Sequence, residues 1–186
     1  MSHHEHDTDY VTFAAAYPTL ADAEADYDAV KSLYYDDAMA DTFDAAVMTR
    51  DADGKVKIVK KHEEPTRRGG WAGAGIGLAV GAIVALFPGA AIGIALAAGA
   101  AGGATIGAVA GHVSEGLDRD DLKDLGELLD KGDSGLVVVA ATDESARVEG
   151  KFSHAATVMH KNLKADKHEL RAEVEAAHKL DYAPAS

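Results

Sequence analysis

GGWAGAGIGLAVGAIVALFPGAAIGIALAAGAAGGATIGAVAG, residues 69–111, runs for 43 positions without a charged side chain. Its glycines form two ladders with a step of four, Gly69, Gly73, Gly77 and Gly81, then Gly99, Gly103, Gly107 and Gly111. A four-residue step places each ladder on one helix face, where the missing side chains let two backbones approach closely. Pro88 and Gly89 break the run between the ladders, so the pattern predicts two helices, 71–87 and 90–111, closed as a hairpin. Each helical glycine costs about 0.5–1 kcal/mol relative to alanine, roughly 4–8 kcal/mol for both ladders, unless close packing offsets it. An antiparallel glycine zipper would set Gly81 opposite Ala95, Gly77 opposite Gly99 and Gly73 opposite Gly103. Trp71, Ile76, Leu78, Ile83, Phe87, Ile92 and Ile94 would then meet lipid or neighbouring subunits.

The two expected helices are roughly 25 and 33 Å long, against a hydrocarbon core of about 30 Å. Lys60, Lys61, Arg67 and Arg68 precede the entry, which by the positive-inside rule keeps both flanks on the cytoplasmic side of a bacterial inner membrane. The large apolar residues contribute about −2 to −4 kcal/mol of insertion free energy in the first half and about −1.5 to −3 in the second. Insertion therefore suits a packed hairpin better than a lone helix. Two other homes for the segment are an assembly in the cytoplasm, with apolar hairpins packed on one another, and burial inside a single monomer. The last asks a 186-residue chain to bury this run in addition to an ordinary core.

Working outward, residues 1–62 carry 13 acids against 6 Lys/Arg, and residues 112–186 carry 16 against 10, so two acidic flanks bracket the neutral centre. A net charge of −13 repels nucleic-acid phosphates, and nucleic acid is not an expected partner. The chain has no cysteine, which excludes disulfides and thiolate chemistry. Residues 1–9, rich in His and acids, read as a flexible tail without a secretory signal. Tyr10–Tyr17 reads as a strand closed by Pro18, and Thr19 with Asp22 caps a helix over 19–38. Phe43–Arg50 and Lys55–Ile58 read as strands around an Asp53-Gly54 turn. Beyond the hairpin, Asp118 caps a Leu-rich helix that stops near Gly132. Leu136–Ala141 is a strand buried on both faces. Residues 143–149 read as a short helix, 156–163 as a strand and 166–180 as a final helix.

The expected fold is α+β, a ferredoxin-like α/β sandwich of order β-α-β-β-[insert]-α-β. Its parts are 10–62 and 114–142, the insert is the glycine-zipper hairpin of 63–113, and an α-β-α extension fills 143–186.

No constellation of catalytic residues emerges. Gly132-Asp133-Ser134-Gly135 spells the tetrapeptide of chymotrypsin-like proteases, but here it reads as a helix stop and a turn. The central glycines match neither the dinucleotide fingerprint nor a phosphate loop. Of the nine histidines, His3, His4 and His6 lie in the tail, and His62 in the linker. His112 reads as an interface residue, while His154, His160, His168 and His178 read as solvated surface. None forms the i, i+4 pair of a zinc helix. Adjacent acids such as Asp36/Asp37 and Asp120/Asp121 point to different faces, and Tyr17, Tyr27 and Tyr34 read as core. No catalytic residue, cofactor or metal is expected.

With these elements assembled, the chain resembles an uncharacterised bacterial domain family of predicted membrane proteins that includes stress-induced members. The likeness covers about residues 10–180. It lies in the Tyr10–Tyr34 strand and acidic helix, the Lys55–Lys61 strand, the Gly69–Gly111 hairpin, the Leu-rich helix ending in glycine, and Ser134–Val139. It implies a ferredoxin-like domain with a glycine-zipper insert and no established catalytic residues. The expected function is a non-enzymatic, membrane-associated protein that forms homo-oligomers through the zipper; a self-assembling scaffold or compartment protein in the cytoplasm is the alternative.

Overall fold

The computed structural model describes residues 10–36, 43–63, 78–87, 91–92, 102–164, 172 and 176. The tail of 1–9 and nearly all of the final helix of 166–180 lie outside these, as do Gly69, Trp71, Gly73, Ile76, Gly77, Pro88, Gly89, Ile94 and Gly99.

The chain is α+β. Its strands are β1 (Tyr10–Tyr17), β2 (Phe43–Arg50), β3 (Val56–Glu63), β4 (Ala91–Ile92), β5 (Ser134–Ala141) and β6 (Thr157–Leu163). Its helices are α1 (Leu20–Asp36), α2 (Leu78–Leu86), α3 (Gly102–Gly116), α4 (Arg119–Leu129) and α5 (Ser145–Glu149), with a 3₁₀ turn over Thr142–Glu144. The sheet order is β4-β3-β2-β5-β1-β6. Every pairing is antiparallel except the short β3–β4 contact. β1 thus lies between β5 and β6, and β3 stands beyond β2, separated from β1 by two strands.

Alternation along the central strands feeds two cores, because successive side chains leave opposite faces of a strand. On one face Phe13, Ala15, Val47, Leu136 and Val138 pack under Ala23, Tyr27 and Val30 of α1 and Val148 of α5. On the other, Tyr10, Ala14, Met48, Ile58, Val137 and Val139 pack under α2, α3 and the Leu125/Leu128/Leu129 stripe of α4. The result is three layers, α1 with α5, the sheet, then α2, α3 and α4. All eight residues of β5 are buried, which explains its unbroken apolar run.

Local signals place the helix starts. The Thr19 hydroxyl accepts from the Asp22 N–H at 3.2 Å and donates to the Asp22 carboxylate at 2.6 Å. The Asp118 carboxylate accepts from the Asp121 N–H at 2.9 Å. Lys161 on β6 reaches Asp121 at 2.8 Å and Asp124 at 3.0 Å, tying α4 to the sheet edge.

The apolar centre departs from the expected helical hairpin. Ala91 and Ile92, expected in the second helix, instead form β4 beside Lys57 and Ile58, and the described α3 covers Gly102–Gly116. Without β4, β3 would be an open edge, and a parallel strand contact gives its outer backbone groups partners. The inner surfaces of α2 and α3 meet the chain's own sheet. Ile83 is 0% exposed and faces the core, which corrects its reading as a lipid- or subunit-facing residue.

One buried group is badly served. Thr12 sits between Tyr10 and Ala14 on the face covered by α2, α3 and α4, is 0% exposed, and its hydroxyl has no hydrogen-bond partner among the described residues. Leaving such a group dry costs about 1–3 kcal/mol. Thr12→Val keeps the shape and removes the hydroxyl, so it is expected to stabilise the fold by about 1 kcal/mol and raise the melting temperature by about 2–4 °C. Thermal denaturation followed by circular dichroism checks this.

Candidate functional site

Two features stand out, the covering pair α2/α3 and a polar cluster on the opposite face. In the cover, Gly81 on α2 meets α3 at backbone distance. A Cβ placed on Gly81 would collide with a methyl of Val109 and lie 3.2 Å from its carbonyl carbon and oxygen. Glycine is therefore used here for close helix approach, and the neighbour is Val109; Ala95, the expected partner, lies outside the described residues. Among the described residues, nothing lies within 4 Å of a Cβ position on Gly111. Gly103 and Gly107 belong to α3. The expected pairings of Gly77 with Gly99 and Gly73 with Gly103 involve positions outside the described residues.

A glycine contact outside the ladders ends the cover. Gly116, the last residue of α3, abuts the carbonyl of Lys164 and a methyl of Leu163, and its own carbonyl accepts from the Lys164 N–H at 3.1 Å. A side chain at residue 116 would push the end of α3 off β6.

The end of α2 is tied by Arg50. Its guanidinium donates to the Gly54 carbonyl at 3.2 Å, pairs with Asp130 at the C-cap of α4, and lies 5.3 Å from the Phe87 ring centroid. Phe87, Val84 and Leu86 are half-buried at the rim of the core. Phe87 and Arg50 thus meet within one chain.

The second feature is centred on Asp26, a carboxylate 0% exposed on the buried stripe of α1. One of its oxygens accepts from the Ser153 hydroxyl at 3.1 Å and lies 2.6 Å from His154 Nδ1. The other accepts from the His154 N–H at 2.9 Å and the Tyr17 hydroxyl at 3.1 Å. Burial pushes the Asp26 carboxyl up, but the bonds from His154, Ser153 and Tyr17 outweigh it and hold the group below its ordinary 3.8. The bond to Asp26 raises the His154 imidazole above 6.5 against a smaller opposing effect of burial, with further help from the Asp22 charge. Burial first, then the Asp26 charge, lifts the Tyr17 hydroxyl far out of the physiological range.

Ser, His and Asp meet here without making a nucleophilic triad. A triad needs the serine on Nε2, opposite the aspartate. Ser153 Oγ instead lies 3.0 Å from Nδ1, the nitrogen that Asp26 already holds. The arrangement clamps a loop to a helix.

Sequence reasoning had His154 on the surface and Tyr17 in the core. The first is half true, since the His154 side chain is 51% exposed. Asp26 was missed, although an acid at spacing three from Ala23 and four from Val30 was the available signal. Ser134 of the protease-like tetrapeptide is buried and donates to the Thr49 hydroxyl at 3.2 Å, as expected of a turn entering a strand. Among the described residues, no group of three His, Asp or Glu side chains is placed to hold a metal ion. Among them too, no helix is long and apolar enough to cross a membrane.

The family model described as "Protein of unknown function (DUF1269)" matches residues 70–175, more than half of the chain. The match begins at the apolar run, and takes in α2, β4, α3, α4, β5, α5 and β6. No curated protein and no solved structure matches the chain.

Proposed function

The chain belongs to this DUF1269 family, and on that premise we propose that it is a non-enzymatic protein that self-associates through its Gly/Ala-rich segment at the cytoplasmic face of a bacterial membrane. The observation that carries the reading is the backbone-level approach of Gly81 and Val109 within a cover that has no charged residue from Leu78 through Leu86. Glycine surfaces favour helix partners at short range, and the half-buried Val84, Leu86 and Phe87 at the end of α2 give a chain of net charge −13 an apolar rim that favours a second apolar surface over water. A self-assembling scaffold or compartment protein in the cytoplasm is the second reading, in which the half-buried Val84, Leu86 and Phe87 meet a neighbouring chain instead of lipid.

The finer fold assignment belongs with this proposal. The order β6-β1-β5-β2, all antiparallel, with α1 joining β1 to β2 and α5 joining β5 to β6 on one face, supports a ferredoxin-like unit. On this reading β3, β4, α2, α3 and α4 together form the insert, lying between the second and third strands of the unit. The inserted helices cover the sheet face opposite α1.

Light scattering in detergent-free buffer and flotation with phospholipid vesicles test the function. The expected results are a defined particle larger than one chain and co-flotation with vesicles. Gly77→Leu or Gly103→Leu should reduce the particle size, and Ala176→Leu, on an exposed position near the C-terminus, should not. A monodisperse single chain that ignores vesicles would reject both readings; a large particle that ignores them would favour the second.

A further inference from the structure

Residues 150–156 connect α5 to β6 and are fastened to α1 largely through one carboxylate. We propose that Asp26 and His154 form a proton-dependent latch that seats this loop, and with it Phe152 and the start of the edge strand β6, on α1 and β1. The inference stands apart from the proposed function.

Three of the four groups bonded to Asp26 come from the loop, namely the Ser153 hydroxyl, the His154 N–H and the His154 ring. Just beyond, the Phe152 ring packs on Phe13 with centroids 5.6 Å apart, and the Ala156 N–H donates to the Ala16 carbonyl at 2.9 Å, opening the β6 pairing. One carboxylate therefore governs a half-buried ring packed against the core and the first rung of an edge strand.

The two partners differ in access to water. Asp26 is fully buried, whereas about half of the His154 side chain is exposed and can exchange protons with solvent. The titratable groups facing the imidazole are Asp26 and, at longer range, Asp22 from α1. From β1, the Tyr17 hydroxyl reaches it through Asp26. Both acids favour the imidazolium. A charged donor to a carboxylate makes a stronger bond than a neutral one. Because the closed loop raises the His154 pKa, the full hold of the latch is present below the ordinary 6.5 and weakens as pH rises through the raised value. At the acid end, hold is lost as pH falls from 3.8 through the lowered value of Asp26.

Amide hydrogen exchange on the full chain tests the latch, read at about pH 5.5 and about pH 8.5, on either side of histidine titration, and corrected for intrinsic rates. The amides of Phe152 through Ala156 are compared with those of β5, which report global opening. Loop protection is expected to be several-fold higher at the lower pH, with β5 changing less. His154→Asn keeps a nitrogen donor near Nδ1 but cannot titrate, and its loop protection is expected to be independent of pH. Equal protection at both pH values in the unmodified protein, or a pH effect that survives His154→Asn, would overturn the latch. Should that variant not fold, NMR titration of the native imidazole decides. A midpoint above 6.5 shared by the loop amides supports the proposal, and a midpoint at or below it, or loop shifts that do not follow it, overturns it.

Discussion

Leucine at residue 81 is expected to separate α2 from α3 and to destabilise the protein by about 3 kcal/mol or more, at the upper end of overpacking effects. A Val109 methyl would collide with the first added carbon, and behind it the carbonyl carbon and oxygen of Val109 would stand 3.2 Å away. A flexible side chain could rotate away; a helix backbone has to move as a unit. Alanine is the sharper probe. Intrinsic propensity alone would make Gly81→Ala stabilising by about 1 kcal/mol, whereas the contact with Val109 makes a loss of about 1–2 kcal/mol the expected outcome. Val109→Ala removes the methyl collision but leaves the backbone contacts. The double variant should therefore recover only part of the loss, with a coupling of about 0.5–3 kcal/mol. Urea denaturation of the four proteins measures the cycle. Simple additivity, or a stabilised Gly81→Ala, would show that α2 and α3 do not meet here.

Asp26→Ala should have the next largest effect, a loss of about 2–4 kcal/mol. The change removes an acceptor that satisfies Tyr17, Ser153 and both donors of His154. The Tyr17 hydroxyl, in a residue 0% exposed, would be left dry. Tyr17→Phe in the same background separates the terms. If the unpaired hydroxyl accounts for much of the loss, Tyr17→Phe should restore about 1 kcal/mol to Asp26→Ala while costing about the same in the unmodified protein. Chemical denaturation of the set measures this, and an Asp26→Ala protein as stable as the parent would show that the cluster contributes nothing to the fold.

The elements that could be read in advance share a physical reason. β1, β2 and β5 are short apolar runs bounded by Pro, Gly or charged residues, and α1 and α4 begin with oxygen-bearing caps. These signals act within a few residues of one another. The apolar centre failed at longer range. Nothing local in Ala91–Ile92 distinguishes a strand from a helix; the choice depends on β3 having an outer edge to fill. The ladder predicted that glycine would allow close approach, and at Gly81 it does, against Val109. Asp26 was hidden for the opposite reason. Its partners Ser153 and His154 lie 127 and 128 residues away, and in an acidic helix one more aspartate looks like surface.

Taken alone, the chain of residues determined an uncharged, glycine-stepped centre between acidic flanks, the caps and the buried strand, since composition and short spacing decide these directly. Tertiary structure decided what the centre rests on. The sheet has two apolar faces, α1 and α5 cover only one, and the other takes α2, α3 and α4 because an uncovered face would leave Met48, Ile58, Val137 and Val139 in water. It also decided which of the many acids are buried, Asp26 and Asp44 among the described residues. Only the fold brings three loop donors and a tyrosine hydroxyl to Asp26, and without them burial of that charge would be prohibitive.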